Sequence, residues 1–314
     1  GRRCMWGYST ACLDCSGLGV TSPANSGFGG GGTMISNSTV NPKASRVVLF
    51  LLDGCRPDAL DAADTPVIQS LRRRGSWSFR ARTVMPSITL PCHTSLFHAV
   101  PPRQHGVVTN DGSAPDSNSP SLFSVLSDLG YGTAAFYTWE QLRDLAPPGT
   151  LDVAFYSRFS EEGFAEVVRM AASTISRALP TLSFVYLEAT DAVGHRYGWM
   201  SPEYIEAAQQ SDAAIGRILD ALADVGGMDS TVFVVMSDHG GHEYGHGTDR
   251  PEDMTIPFII CGPEIRPDYE IEIDVSILDV APTILRCLSL ARPDSWRGRV
   301  LQEVFVDVGW PPYS

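Results

Sequence analysis

Long apolar runs are absent from this sequence of 314 residues. Nothing approaches 18 uninterrupted apolar residues, so we predict neither a membrane span nor a membrane partner. Basic residues are scarce, since 23 Lys and Arg stand against 36 Asp and Glu, which gives a formal net charge of −13. This balance excludes a nucleic-acid polymer as the main partner, because the phosphate backbone binds basic surfaces. A small phosphorylated substrate is compatible with it, because metal ions supply positive charge locally.

Cysteine is also sparse and irregularly spaced. The seven Cys are odd in number, and Cys12 and Cys15 form a C-x-x-C for which no second pair completes a zinc site. This usage indicates unpaired thiols in a reducing compartment. No basic-then-apolar signal peptide opens the sequence, so we predict a cytoplasmic location.

The first 44 residues differ in composition from the rest. They are rich in Gly, Ser, Thr and Asn, and they show no apolar periodicity. We expect residues 1–44 to be a disordered or non-native N-terminal extension, with Met34 as the natural start. Residues 45–314 are predicted to form one folded domain.

The remaining chain alternates apolar runs with amphipathic segments. The segment 47–56, VVLFLLDGCR, contains six apolar residues ended by Asp53 and Gly54, which predicts a strand buried on both faces of a parallel sheet. Similar runs cover 182–187 and 231–236, and a long amphipathic helix is predicted over 203–222. This alternation predicts an α/β fold, a three-layer α/β/α sandwich with a mainly parallel central sheet.

Acidic and imidazole side chains follow three of the predicted strands, where open α/β folds bind their ligands. They are Asp53, Asp191, His195, Asp238, His239 and His246. Taken singly, each also fits a helix cap, an Asx turn or a surface histidine. Their joint occurrence favours a metal site, because carboxylate and imidazole are the ligands that Zn²⁺ prefers in catalytic sites. About six ligands suit two metal ions better than one.

Four motifs, in this chain order, resemble the type I phosphodiesterase/nucleotide pyrophosphatase branch of the alkaline phosphatase superfamily. They are VLFLLDGCRPD around Asp53, MPSITLPCHTSL around Thr89, TDAVGHRYG around Asp191 and His195, and SDHGGHEYGHGT around Asp238, His239 and His246. The resemblance covers roughly residues 46–305 and implies an alkaline phosphatase-like hydrolase domain. It further implies a two-zinc phosphodiesterase or nucleotide pyrophosphatase that acts on a small phosphorylated substrate through a covalent phospho-threonine. Mn²⁺ or another divalent metal can replace zinc in this expectation.

The resemblance also implies a role for each motif residue. One zinc is expected on Asp53, Asp238, His239 and the Thr89 oxygen, and the other on Asp191, His195 and His246. Thr89 is the expected nucleophile. Metal coordination can activate its hydroxyl, and a helix N-terminus would direct backbone N–H groups at the phosphate.

Two departures from the branch pattern concern substrate recognition. Cys92 stands three residues after Thr89, where the branch commonly has an Asn that donates to a phosphoryl oxygen, and a thiol is a weak donor. Cys92 and Asn110 are the predicted substrate-binding positions, and Asn110 equally fits a role in shaping its loop. The loop between His239 and His246 is short, so we expect much of the apparatus for recognising a nucleotide base to be missing.

Other functions stay open at this point. The same site could hydrolyse a phosphomonoester, with Arg56 or Arg82 facing the extra charge, or a phosphonate or sulfate ester. A non-catalytic metal-binding protein of the same fold is the alternative from another class. The oligomeric state is left open.

Overall fold

The computed structural model describes residues 44–111, 115 and 118–306. The extension predicted at residues 1–44 lies outside this range except for Ala44. Ten α-helices and eight strands fall within the described residues. The strands are β1 (Arg46–Leu52), β2 (Gly75–Arg82), β3 (Thr133–Tyr137), β4 (Val153–Tyr156), β5 (Leu182–Leu187), β6 (Thr231–Met236), β7 (Thr255–Cys261) and β8 (Tyr269–Glu270). The helices are α1 (Pro57–Ala62), α2 (Pro66–Arg73), α3 (Thr89–His98), α4 (Pro102–His105), α5 (Leu122–Asp128), α6 (Glu161–Ala178), α7 (Ala189–Tyr197), α8 (Pro202–Ala223), α9 (Pro251–Met254) and α10 (Val280–Cys287).

All eight strands belong to one sheet, in the order β4-β3-β5-β1-β6-β7-β2-β8. Strand β7 runs antiparallel to its neighbours β6 and β2, and every other neighbouring pair is parallel. The predicted mainly parallel sheet is therefore confirmed, with one reversed strand among those described.

Alternate residues of β1 enter two separate cores, one on each face of the sheet. Val47, Leu49 and Leu51 pack with α3, α5 and α10, whereas Val48, Phe50 and Leu52 pack with α2, α6 and α8. Helices thus cover both faces, and the three-layer α/β/α sandwich is confirmed. A strand in this position has no polar face, which explains why its sequence is a continuous apolar run.

The central strands bring their carboxyl ends to the same edge. Leu52 pairs with Leu187 of β5, and Leu51 pairs with Met236 of β6, so β1, β5 and β6 end side by side. Side chains that follow these strands therefore converge, although they are far apart in sequence.

The structure also corrects the sequence reading in several places. Strand β4 and helices α1 and α7 were not predicted from the sequence. In the segment 276–290, helix α10 covers only Val280–Cys287. That segment opens with a single 3₁₀ turn, Ile277–Asp279, which has a capping box from Ser276, before α10 begins. Within the described range, no helix combines the length and apolar character needed to cross a membrane.

Candidate metal centre

The first group of predicted ligands lies at the ends of β1 and β6. Asp53 directly follows β1, and Asp238 and His239 follow β6 after one intervening residue. The His239 Nε2 atom lies 3.2 Å from Asp53 Oδ1 and 3.3 Å from Asp238 Oδ2. All three residues are at most 1% exposed. We call Asp53, Asp238 and His239 the buried group.

Thr89 lies against this group at the start of helix α3. It is the first helical residue, with Ile88 at the N-cap, so it is not itself the capping residue. Its Oγ1 atom lies 3.3 Å from His239 Nε2, and the residue is 5% exposed. The structure therefore brings the predicted nucleophile beside the buried group, at a helix N-terminus.

The second group of predicted ligands comes from helix α7 and from the loop after β6. Asp191 and His195 are one helical turn apart on α7, which places both side chains on the same face. His195 Nε2 and His246 Nε2 each lie 3.5 Å from Asp191 Oδ1 and 3.1 Å from each other. We call Asp191, His195 and His246 the outer group.

The two groups adjoin through their histidines. The rings of His239 and His246 are stacked, with centroids 3.9 Å apart. Ligand atoms of Asp191, His239 and His246 lie within 4.8 Å of one another, as do those of Asp53, Asp238 and His239. All six predicted protein ligands other than Thr89 thus form one cluster.

Each of the three histidines predicted as ligands has its Nδ1 atom against a backbone carbonyl oxygen. The pairs are His195 with Tyr244 at 3.0 Å, His239 with Gly240 at 2.8 Å, and His246 with Ser87 at 3.0 Å. A carbonyl oxygen only accepts, so Nδ1 carries the hydrogen and Nε2 presents its lone pair. This is the arrangement of metal-binding histidines, whose ring orientation is fixed by the other nitrogen.

The carboxylates are held in an electrostatically unfavourable state. Burial, followed by the charges of Asp238 and Asp191, raises the pKa of Asp53 well above its usual value. Burial likewise raises the pKa of Asp191 and of Asp238. Burial lowers the pKa of His239 to about 4 and that of His246 to about 3, so both imidazoles are neutral at pH 7.

Three buried carboxylate oxygens have no hydrogen-bond partner among the described residues. They are Asp53 Oδ1, Asp191 Oδ1 and Asp238 Oδ2. Buried polar atoms are normally paired, and neighbouring carboxylates repel one another unless a positive charge lies between them. Unpaired carboxylate oxygens beside neutral imidazole nitrogens fit divalent cations, with zinc preferred by this oxygen–nitrogen donor set.

Two residues orient the buried carboxylates, and this role was not predicted from the sequence for either of them. The Tyr186 hydroxyl, on the neighbouring strand β5, donates to Asp53 Oδ2. The backbone N–H of Gly54 donates to Asp238 Oδ1 at 3.2 Å. Gly54 has a φ of +64°, and a Cβ there would lie 3.0 Å from Asp191 Oδ1, so glycine leaves room for that carboxylate. The apolar sequence of β5 does not indicate a functional role for Tyr186, whereas the Asp53-Gly54 turn can be recognised in the sequence.

The structure corrects the substrate-binding role predicted for Cys92. Its side chain is fully buried, and its thiol accepts from the Thr83 hydroxyl at 3.1 Å and lies 3.7 Å from the carbonyl oxygen of Pro86. Burial, with the charge of Asp238, raises the pKa of this thiol. Cys92 therefore packs beneath the helix start and has no exposed atom to offer a substrate.

Asn110 lies beside the helix start, as its prediction requires. Its Oδ1 atom accepts from the backbone N–H of Leu90 at 2.9 Å, which ties its loop to α3. The side-chain NH₂ group takes no part in that bond, so it stays available as a donor. The two roles predicted for Asn110, loop shaping and substrate binding, are therefore compatible.

The two arginines considered for a phosphomonoester charge are bonded elsewhere. Arg56 pairs with Asp58 at 2.6 Å and donates to the Gly241 carbonyl oxygen at 3.1 Å. Arg82 donates to the Thr255 hydroxyl at 3.2 Å. Neither guanidinium contacts Thr89 or a predicted ligand.

Comparison with protein families points to the branch named by the motifs. The family described as type I phosphodiesterase/nucleotide pyrophosphatase matches residues 47–254, which include every predicted site residue. Ectonucleotide pyrophosphatase/phosphodiesterase family member 1 of Rattus norvegicus is 28% identical over 213 residues, covering 62% of this chain and 24% of that protein. Bis(5'-adenosyl)-triphosphatase of Mus musculus is 27% identical over 228 residues, covering 66% of this chain and 50% of that protein. The chain thus spans a quarter to a half of the length of these relatives.

The fold also has solved counterparts. Inactive murine ectonucleotide pyrophosphatase/phosphodiesterase 5, in complex with AMP, superimposes with a TM-score of 0.71 at 16% sequence identity. The match covers 83% of this chain and 100% of that one. This likeness confirms the predicted alkaline phosphatase-like fold.

Proposed function

Because the chain belongs to the type I phosphodiesterase/nucleotide pyrophosphatase family, we propose that it hydrolyses phosphate diesters with Thr89 as nucleophile and two bound divalent cations. The observation that carries the proposal is the position of the Thr89 hydroxyl, 3.3 Å from His239, at a helix N-terminus beside both ligand groups. A threonine placed only to cap a helix would need none of these neighbours.

The proposed metal sites follow the two groups. Asp53, Asp238, His239 and the Thr89 oxygen would hold one cation, and Asp191, His195 and His246 the other. Bound cations would lower the pKa of the Thr89 hydroxyl and offset the charge that develops on the leaving oxygen. Zinc is the proposed ion, with manganese as a substitute.

The steps at Thr89 can be written from the residues present. Its hydroxyl gives up a proton to solvent, the Oγ–phosphorus bond forms, and the bond from phosphorus to the leaving oxygen breaks. The Thr89 backbone N–H at the start of α3 and the Asn110 NH₂ group are the proposed donors to the phosphoryl oxygens, because the Leu90 N–H is held by Asn110 Oδ1 and Pro91 has no N–H. Water then cleaves the phospho-threonine and restores the hydroxyl.

A diester is the proposed substrate because the extra charge of a phosphomonoester would need an additional cationic group. Arg56 and Arg82, the two candidates for that role, are engaged by Asp58, Gly241 and Thr255. Nucleotide diesters and pyrophosphates are the proposed class, since two of the relatives carry such substrates in their names.

The test compares three substrates on zinc-loaded protein: bis-p-nitrophenyl phosphate, p-nitrophenyl phosphate and bis(5'-adenosyl) triphosphate. We expect kcat/KM for the diester to exceed that for the monoester by about 100-fold, which is roughly 2.7 kcal/mol in transition-state free energy. Chelation should abolish the hydrolysis of all three substrates, and zinc should restore it. A faster monoester, or hydrolysis that persists without metal, would contradict the proposal.

A further inference from the structure

The loop from His239 to Thr248 carries two proposed ligands, and both of its arms meet one buried carboxylate. Asp253 is 0% exposed and lies in helix α9. Its Oδ1 atom accepts from His242 Nδ1 at 2.7 Å. Its Oδ2 atom accepts from the Thr248 backbone N–H at 2.9 Å and from the Thr248 hydroxyl at 2.7 Å. Its carbonyl oxygen accepts from the Gly240 N–H at 2.8 Å.

We propose that Asp253 is a positioning residue that holds His246 at its distance from His239 and thereby sets the metal affinity of the outer group. This inference rests on the proposed function. Asp253 touches no proposed ligand directly. It acts through residues that lie four before and two after His246.

The path from Asp253 to His246 is continuous on the Thr248 side. The Thr248 carbonyl oxygen accepts from the Ser87 hydroxyl at 2.7 Å, and His246 Nδ1 donates to the Ser87 carbonyl oxygen at 3.0 Å. Thr248 and His246 are therefore both hydrogen-bonded to Ser87, two residues before Thr89. By holding Thr248 in place, Asp253 also holds these bonds to Ser87 and the orientation of the His246 ring.

The path on the other side runs through a tight hairpin. His242 and Gly245 exchange two backbone hydrogen bonds, at 2.9 and 3.0 Å, and Gly245 directly precedes His246. The bond to Asp253 occupies Nδ1 of His242 and anchors the start of this hairpin. His242 therefore belongs to the support of the loop, rather than supplying Nδ1 to a metal.

The carboxylate chemistry of Asp253 is specific. Both of its side-chain oxygens accept hydrogen bonds, so an Asn in its place would turn an NH₂ group toward either His242 Nδ1–H or the Thr248 N–H. Facing Thr248, the NH₂ group would meet other donors; facing His242, it would keep a bond only if the imidazole moved its hydrogen from Nδ1 to Nε2, and the remaining amide oxygen is an uncharged, weaker acceptor than a carboxylate. We expect the loop to relax at that arm, whereas the strand-end ligands keep their places.

Asp212 provides a matched control. It is 3% exposed, and its carboxylate accepts from the backbone N–H groups of Val67 at 3.2 Å and Ile68 at 2.7 Å, at the start of helix α2. Asp212→Asn thus disturbs an equally buried, backbone-bonded carboxylate that supports no proposed ligand. Any general effect of losing such a carboxylate should appear in both variants.

The experiment is a zinc titration of metal-free protein against a chromophoric chelator, with thermal unfolding measured in parallel. For Asp253→Asn, we expect the dissociation constant of one zinc to rise by roughly 10- to 100-fold, the usual effect of losing a residue that orients a ligand. The other zinc should change by less than about threefold, and Asp212→Asn should leave both unchanged. Thr248→Val removes the hydroxyl bond to Asp253 and the acceptor of the Arg250 N–H at 3.3 Å, but it keeps the Thr248 backbone bond, so it should weaken the same zinc by a smaller factor.

The outcomes separate this inference from the proposed function. Wild-type protein that binds no zinc would overturn the proposed function and the inference together. Two normal zinc sites in the wild type, with Asp253→Asn unchanged, equally weakened at both sites or matched by Asp212→Asn, would overturn only the inference. If Asp253→Asn fails to fold, Thr248→Val decides the question alone.

Discussion

The two ligand groups use the same chemistry on very different supports. Asp53, Asp238 and His239 follow adjacent central strands, and their side chains are at most 2% exposed. Asp191, His195 and His246 come from a short helix and a loop, with side chains 15%, 46% and 8% exposed. The strand ends are held by a hydrogen-bonded ladder and by two cores, whereas the loop depends on a few polar contacts. The comparison shows that the buried group is positioned by the central strands of the sheet, whereas the outer group is positioned by a helix and a loop at its edge.

This difference suggests a division of labour. Side chains on rigid elements are placed more precisely than side chains on loops. The buried group adjoins Thr89, the proposed nucleophile, whose attacking oxygen would have to be held steady. The outer group is more exposed, so a leaving group could depart and water could enter on that side in the proposed mechanism.

The most severe test of the comparison is removal of the proposed nucleophile from the buried half. Thr89→Ala should lower kcat by roughly 10³-fold or more, since the residual rate would come from the metals and binding alone. The control is Thr94→Ala on the same helix, whose hydroxyl donates to the Leu90 carbonyl oxygen at 2.7 Å and, among the described residues, bonds to no predicted ligand. Steady-state kinetics on bis-p-nitrophenyl phosphate measures both. Equal activity of Thr89→Ala and Thr94→Ala would end the covalent mechanism.

A smaller effect compares the two halves through their metals. Asp238→Asn keeps an acceptor for the Gly54 N–H but removes a charged ligand, and it should weaken one zinc by about 100-fold. His195→Gln, at the most exposed ligand, should weaken the other zinc by about tenfold, because water can fill a position on the open side. Competition titration with a chelator gives both dissociation constants. The reverse order would mean that burial is not what distinguishes the two halves.

The smallest expected effect is on the stability of metal-free protein. The pKa of Asp53 is raised in the folded state, so its ionisation opposes folding as pH rises above the ordinary value of 3.8. Asp53→Asn should therefore raise the Tm of metal-free protein at pH 7 by a few degrees, as about 1 kcal/mol would do in a domain of this size. The gain should shrink as pH falls toward 3.8, where the wild-type carboxyl is protonated.

The control for this prediction is Asp220→Asn on the exposed face of α8, which should leave Tm unchanged. Scanning calorimetry in the presence of a chelator, at several pH values, makes the measurement. A pH-independent gain, or a loss of stability at pH 7, would show that Asp53 is not strained by its charge in the folded protein.

The sequence predicted the framework of the centre well, for a physical reason. Strands β5 and β6 begin and end at the residues expected, because a strand buried on both faces is mostly apolar and is followed directly by polar residues. Ligand residues at those boundaries stand out against such runs. Helix α7 was missed because its polar, glycine-containing sequence lacks an apolar stripe, although the four-residue spacing of Asp191 and His195 already fits one helix face.

Sequence patterns could not predict the side chains that hold the proposed ligands in place. The Tyr186 hydroxyl meets an Asp53 carboxylate 133 residues away, and a hydroxyl inside an apolar strand carries no local signature. Cys92 was predicted to bind substrate because it lies three residues after Thr89 in the sequence. In the structure its side chain points from α3 into the core. Nothing in the sequence distinguished Asp253 from other acidic residues. Its role becomes visible only in the structure, where it accepts hydrogen bonds from His242 and Thr248 of the loop between His239 and Thr248.

The sequence by itself determined the order of apolar and acidic segments along the chain, the identity of the predicted ligand residues and the family. These are properties of composition and spacing, which survive without coordinates. Only the tertiary structure decided which ligands are buried, which nitrogen of each histidine is free, and which side chains hold them in place. Those properties depend on contacts between residues far apart in the chain, since desolvation and hydrogen-bond geometry exist only once the sheet has brought its strand ends together.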